Sequence, residues 1–115
     1  TGLVLARRAA TAATDHEVAL AWSEVEQRFK AELEPHFQQE ESMLLPALKE
    51  AGEKALVERT LAEHARMRSL IYDEPKNAES LRLFAELLKA HIRFEERQLF
   101  EIAQARLPEF DLAVP

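Results

Sequence analysis

Apolar residues recur at steps of three and four along most of the chain, a spacing that predicts amphipathic helices. In the longest segment this stripe of core positions comprises Val18, Trp22, Val25, Phe29, Leu33, His36, Glu40, Met43 and Ala47. Thr14 and Glu17 have the spacing of a capping box before it, and Gly52 follows it as a C′ glycine. The pattern therefore predicts one long helix over residues 15–51.

Three other segments show the same periodicity. Residues 1–12 are the end of a first helix, which we expect to be truncated at its N-terminus because no N-cap residue precedes it. In residues 53–72 the core positions are Val57, Thr60 or Leu61, His64, Met67 and Ile71. In residues 78–106, which end before Pro108, they are Leu81, Phe84, Leu88, His91, Glu95, Gln98 and Ile102.

Short turns between successive long helices make neighbouring helices antiparallel. The sequence therefore predicts an all-α fold, an up-down-up-down four-helix bundle that forms a single domain over residues 1–115. Pro35 removes one backbone hydrogen bond inside the second helix and is expected to kink it, with or without a functional consequence.

Composition narrows the classes of partner and cofactor. The net charge of −6 comes from acidic and basic residues mixed along the chain, so no basic stripe is available for nucleic acid or for an anionic membrane. We find no apolar run of membrane-spanning length and no secretory leader, and so expect a cytoplasmic protein. The chain has no cysteine, so any bound metal must be held by nitrogen and oxygen.

Five ionisable residues occupy core positions of three helices, where an apolar residue is expected. Burying such groups without partners costs several kcal/mol each, so something must compensate them. His36 with Glu40, and His91 with Glu95, are spaced so that each pair projects from one face of its helix. His64 lies as far after the turn at Gly52 as Glu40 lies before it, so the two are expected at one height of the bundle.

Imidazole and carboxylate ligands together suit iron, manganese or zinc, and carboxylates from two helices can bridge a pair of metals. The sequence therefore predicts a dinuclear metal site.

Three segments of the chain resemble the hemerythrin-like (HHE cation-binding) domains: LEPHFQQEESMLLPAL, LAEHARMR and HIRFEERQLF. The resemblance covers the second, third and fourth helices and implies a four-helix bundle with a non-haem di-iron centre. It implies two Fe ions, with Mn or Zn as substitutes, held by His36, His64 and His91 as terminal ligands and bridged by Glu40 and Glu95. Hemerythrins proper have a second histidine four residues after the one on the third helix, where this chain has Arg68.

The family generally has a further histidine on its first helix. His16 is not expected to fill that role, because it precedes His36 by about 30 Å of uninterrupted helix and lies on nearly the opposite face. We expect the first-helix ligand to lie before Thr1. Glu41 and Glu96 are expected to be solvated, with a hydrogen bond to a metal ligand as the alternative, and Arg68 to lie at the helix edge.

By this resemblance the protein binds dioxygen or a related small ligand, as a carrier, sensor or scavenger. The alternatives are a di-iron enzyme (a peroxidase, an oxidase or a nitric-oxide-handling protein), or an iron storage or repair protein. An enzyme would need an acid–base group beside the metals, for which Arg68 and Gln98 are weak candidates. We therefore favour a non-enzymatic role and leave the oligomeric state open.

Overall fold

The computed structural model describes residues 2–107 of the chain. Over these residues the chain is an all-α four-helix bundle without strands, as the sequence predicts. The first helix is Gly2–Thr11 and the third is Lys54–Tyr72. The second and fourth helices are long; two π-helical turns interrupt the second, and one interrupts the fourth.

The second helix consists of Asp15–Arg28, the π turn Phe29–Leu33, Glu34–Gln39, the π turn Glu40–Leu44 and Leu45–Glu50. The fourth consists of Ala78–Phe94, the π turn Glu95–Leu99 and Phe100–Arg106. In each π turn the following N–H bonds to the carbonyl five residues before it, as from Leu45 to Glu40 and from Phe100 to Glu95.

The helix ends have the caps that the sequence indicates. Thr14 and Glu17 form a complete capping box at the start of the second helix. Gly52 has φ 94°, a left-handed conformation that favours glycine, and its N–H bonds to the carbonyl of Lys49. Asn77 caps the fourth helix, and the indole N–H of Trp22 donates to its carbonyl at 2.9 Å.

The π turns shift the core stripe by one residue, and here the sequence pattern was wrong. An i→i+5 bond encloses one residue more than an α turn, so every later residue is rotated by about 100°. Met43, predicted in the core, is therefore 59% exposed, and Leu44 and Leu45 are buried. In the fourth helix Gln98 is exposed and Leu99 is buried.

Proline accounts for two of the three π turns. Each π turn of the second helix ends two residues before a proline, Pro35 or Pro46. A proline ring has no N–H and crowds the carbonyl four residues earlier, and a wider turn relieves that crowding. No proline stands beside the π turn of the fourth helix, which begins at Glu95 just as one of the others begins at Glu40.

Apolar side chains form two clusters, one toward each end of the bundle. The first cluster includes first-helix residues such as Leu5 and Ala9, packed with side chains of the other three helices. The second cluster comprises Leu44, Leu45, Leu48, Leu56, Val57, Phe94, Leu99, Ala103 and Leu107. The five ionisable core residues lie between the two clusters. No helix within residues 2–107 is long and apolar enough to cross a membrane.

Candidate metal centre

The structure brings all five predicted site residues together. The second helix supplies His36 and Glu40, the third His64, and the fourth His91 and Glu95. His36 Nε2 lies 3.2 Å from Glu40 Oε2, and His64 Nε2 lies 3.1 Å from Glu40 Oε1. One donor atom from each of Glu40, His64, His91 and Glu95 fits within a spread of 4.8 Å. Three helices therefore present nitrogen and oxygen donors to one small volume.

The donor atoms separate into two sets. The Oε2 atoms of Glu40 and Glu95 face His36 Nε2, at 3.2 Å and 3.8 Å. The Oε1 atoms of the same two glutamates face the other two histidines, at 3.1 Å from His64 Nε2 and 3.5 Å from His91 Nε2. Each glutamate thus presents one oxygen to each set, which is the arrangement of a carboxylate that bridges two cations.

Several of these atoms are buried without a hydrogen-bond partner. Within residues 2–107 the buried side-chain nitrogen and oxygen atoms in that condition are Glu40 Oε1 and Oε2, His64 Nε2, His91 Nε2 and Glu95 Oε2. All of them belong to this cluster, although buried polar atoms in proteins are nearly always paired. Cations at the centre of the cluster would satisfy them, so the residues present fit a metal site.

Two further glutamates orient the buried histidines. His64 Nδ1 lies 2.7 Å from Glu41 Oε2, and His91 Nδ1 lies 2.6 Å from Glu63 Oε1. A carboxylate oxygen only accepts, so each Nδ1 carries the proton and donates it. The lone pair of each Nε2 is then left to face the cluster, as in a metal-ligating histidine.

Aromatic rings enclose the inner side of the site. Phe37 is buried and stacks on the His64 ring at 3.9 Å between centroids, with the planes 10° apart. The same phenyl ring meets His91 edge-on at 5.4 Å, and Phe94 lies 6.3 Å from the His91 ring. These rings hold the imidazoles in place and exclude water from that side.

The model of the hemerythrin HHE cation-binding domain family matches residues 2–103. The chain belongs to this family. Comparisons with curated proteins and with solved structures gave no match. The fold, the cluster and the family match together make the chain a hemerythrin-like metal-binding domain with a candidate His/Glu metal site.

Burial and mutual contact shift the protonation of the cluster in this HHE domain. Contacts with Glu40 and Glu95 raise the pKa of His36 to about 10. Burial raises the pKa of Glu95 to about 8, and burial lowers the pKa of His91. Burial is the strongest influence on Glu40 and acts to raise its pKa, but its contacts with His36, His64 and Glu95 together outweigh burial and hold that pKa below its ordinary value. Without a metal, protonation of His36 and of Glu95 therefore reduces the negative charge of the cluster at neutral pH.

The HHE domain opens to solvent on the side of His36. The side chain of His36 is 19% exposed, against 8% or less for the other four site residues. The first helix, Gly2–Thr11, contains no histidine or carboxylate and contributes nothing to the cluster. His16 lies exposed in the first turn of the second helix and outside the cluster, consistent with the expectation that it is not a ligand. A first-helix ligand before Thr1 falls outside the described residues.

Neighbours of the site differ from expectation in two places. Glu41 accepts a hydrogen bond from His64, which was the alternative to a solvated side chain. Glu96 is exposed, as expected. Arg68 lies at the helix edge, with its guanidinium engaged by Glu34 and Glu41. Gln98 is exposed on the outer face, because the π turn rotates it away from the core.

Glu63 and Phe37 are site residues that sequence reasoning missed. Glu63 directly precedes His64, and Phe37 directly follows His36. A stripe with steps of three and four predicts that such neighbouring side chains point away from the core. Phe37 could have been found from its spacing, since it lies eight residues after Phe29. Two α turns span about seven residues, and Pro35 indicates a wider turn that adds one more. For Glu63 we find no signal in the sequence.

Proposed function

We propose that this HHE domain holds two iron ions and binds dioxygen or a related small ligand at them, in oxygen binding, sensing or scavenging. The observation that carries the proposal is the cluster of buried donor atoms without hydrogen-bond partners, divided into two sets by the two glutamates. The family match supports metal binding, and nitrogen with oxygen ligands favours iron, with manganese or zinc as substitutes.

In this proposal each of the two sets of donors would hold one ion. His64, His91 and the Oε1 atoms of Glu40 and Glu95 surround one position. His36 and the two Oε2 atoms surround the other. The second position has three protein donors against four, and it lies on the exposed side, so we assign to it the coordination position left open for a small ligand.

A pair of ferrous ions, when bound, supplies the two electrons that reversible dioxygen binding requires. The protein keeps the inner side of the centre dry through Phe37 and Phe94. Glu41 and Glu63 keep the protons of His64 and His91 on Nδ1, away from the donor atoms. Burial of the glutamates strengthens their attraction for cations, since little water competes there.

The surroundings of the centre favour ligand binding over catalysis. The two acid–base candidates from the sequence both face elsewhere: Gln98 is exposed, and the Arg68 guanidinium is paired with two carboxylates. This supports a carrier, sensor or scavenger rather than an oxidase or peroxidase.

The test is reconstitution with ferrous iron without oxygen, followed by iron analysis and by absorption spectra before air, in air and after oxygen is removed. We expect two irons per chain and a charge-transfer band that appears in air and disappears again. His91→Ala should lose the band, whereas His16→Ala, the matched control outside the cluster, should keep it.

Irreversible oxidation of the bound iron would overturn the binding role and favour iron handling or catalysis. A maximum of one iron per chain would overturn the dinuclear centre.

A further inference from the structure

Arg68 bridges two carboxylates of the neighbouring helix. Its Nε lies 3.0 Å and 2.9 Å from the two carboxylate oxygens of Glu34. Its Nη1 and Nη2 donate to Glu41 at 2.7 Å and 3.1 Å. The side chain is only 26% exposed and lies over the Phe37 ring, 5.7 Å from its centroid. Paired, planar contacts of this kind are the strongest ion pairs that arginine makes.

The two carboxylates flank the part of the second helix that carries His36 and Glu40. Glu34 and Glu41 stand on either side of this pair, and the segment starts directly after the π turn Phe29–Leu33 and ends inside the π turn Glu40–Leu44. A π turn interrupts the regular hydrogen-bond ladder, so helical rigidity alone does not fix the segment. Arg68 ties both of its ends to the third helix.

The same contact reaches His64 through a shared atom. Glu41 Oε2 accepts from Arg68 Nη1 and from His64 Nδ1, each at 2.7 Å. The guanidinium therefore fixes the position of the oxygen that orients the His64 ring. Loss of Arg68 would free Glu41 to turn toward solvent, and the His64 ring would then pack on Phe37 without the hydrogen bond that fixes its direction.

The hydrogen bond between His91 and Glu63 corresponds to the one between His64 and Glu41, but its glutamate has a different arginine partner. Glu63 uses Oε1 for His91 and Oε2 for Arg59. Arg59 is four residues away on the same helix and its side chain is 50% exposed. It meets the fourth helix through the Phe94 ring, with its Cζ 4.1 Å from the ring centroid, and not through a histidine-orienting carboxylate on that helix. Exposed ion pairs such as the one between Arg59 and Glu63 contribute little.

We propose that Arg68 is a positioning residue of the metal centre, which acts through Glu41 to hold His64 Nε2 toward the metal. The inference rests on the proposed function in that His64 must be a ligand. It assigns to this arginine a role in metal affinity that its place at the helix edge does not suggest.

The experiment measures zinc affinity by competition with a chelator for the wild type, Arg68→Met, Glu41→Gln, the double variant and the control Arg59→Met. We expect Arg68→Met to weaken binding about 10- to 100-fold, the range for partners of metal-ligating histidines. Arg59→Met should change it less than about threefold. The double variant should bind about as Glu41→Gln alone does, because coupled residues are not additive.

A second readout follows the His64 ring itself. In zinc-loaded wild type, ring nitrogen NMR should show a protonated Nδ1 at His64, and Arg68→Met should broaden or shift that signal without changing His91. Thermal unfolding of the metal-free variants shows whether each one folds.

Three results would overturn the inference: wild-type affinity in folded Arg68→Met, an equal loss in Arg59→Met, or additive losses in the double variant. Failure of the wild type to bind zinc or iron would instead overturn the proposed function.

Discussion

Replacing Glu95 by leucine is expected to stabilise the metal-free protein while it removes metal binding. Glu95 is buried, and its Oε2 has no hydrogen-bond partner. Burial raises its pKa from the ordinary 4.5 to about 8, so the folded protein keeps this carboxyl protonated at neutral pH. In the unfolded chain the same carboxyl ionises freely. Folding must therefore keep a proton on Glu95, which costs free energy, and a leucine at this position avoids that cost.

The size of the effect follows from that pKa. Between pH 4.5 and 7, holding the proton costs about 3 kcal/mol, since one pH unit is worth about 1.4 kcal/mol. Loss of the contact between Glu95 and His36 opposes this by about 1 kcal/mol. We therefore expect a net gain of about 2 kcal/mol at pH 7, or roughly 8 °C in Tm for a domain of this size.

The upward direction of the pKa shift also determines how the stability depends on pH. A carboxyl whose folded pKa is raised contributes most to stability below its unfolded pKa of 4.5. This contribution falls as the pH rises to about 8 and is constant above that. The advantage of Glu95→Leu over the wild type should therefore be small at pH 4, larger at pH 7 and largest at pH 9.

The assay is urea unfolding followed by circular dichroism, for wild type, Glu95→Leu and the exposed control Glu96→Leu, with and without zinc. Zinc at 100 times its Kd should stabilise the wild type by about 2.7 kcal/mol and Glu95→Leu far less, so the order of stability reverses. The reasoning is refuted if metal-free Glu95→Leu is less stable than the wild type at pH 7, or if the difference does not depend on pH.

Four other changes test separate parts of the structure. His36→Ala should lower bound iron from two ions to one, by elemental analysis, because it removes the only imidazole of the second donor set; two ions in the variant would contradict that assignment. Glu63→Gln should raise the zinc Kd about 10- to 100-fold in a chelator competition, and an unchanged Kd would show that it does not orient His91. Phe37→Ala should cost about 3–5 kcal/mol in urea unfolding of the metal-free protein, and a cost below about 1 kcal/mol would contradict its place in the core. Gly52→Ala should cost about 1–2 kcal/mol by the same method, because its φ of 94° is strained for alanine; a neutral effect would contradict the glycine cap.

The sequence was sufficient to predict the bundle and the five residues that meet in its centre. Steps of three and four placed His36, His64 and His91 on buried faces, and the spacing around Gly52 put Glu40 level with His64. His64 and His91 lie in uninterrupted α-helix, where this spacing holds. His36 follows the π turn Phe29–Leu33 and reaches the site from its edge, with 19% of its side chain exposed.

After a π turn, the spacing of three and four residues no longer predicts which side chains are buried. Met43 and Gln98 were predicted inside and lie outside, because each follows the first residue of a π turn that rotates the rest of its helix. Pro46 gives a physical reason for one of these turns, and no residue type marks the other. Glu63 was missed for another reason, since contact with His91 depends on how two helices are placed against each other.

The polar centre divides the apolar core, and this gives the two ends of the bundle different stabilities. Beyond the site, the second cluster is built from the second, third and fourth helices alone, without a residue of the first helix. In the metal-free protein, we expect that three-helix end to open locally more readily than the four-helix end, so that its backbone amides exchange with solvent faster. Metal bound at the site would link the two ends across it, so that metal release and local opening would be coupled.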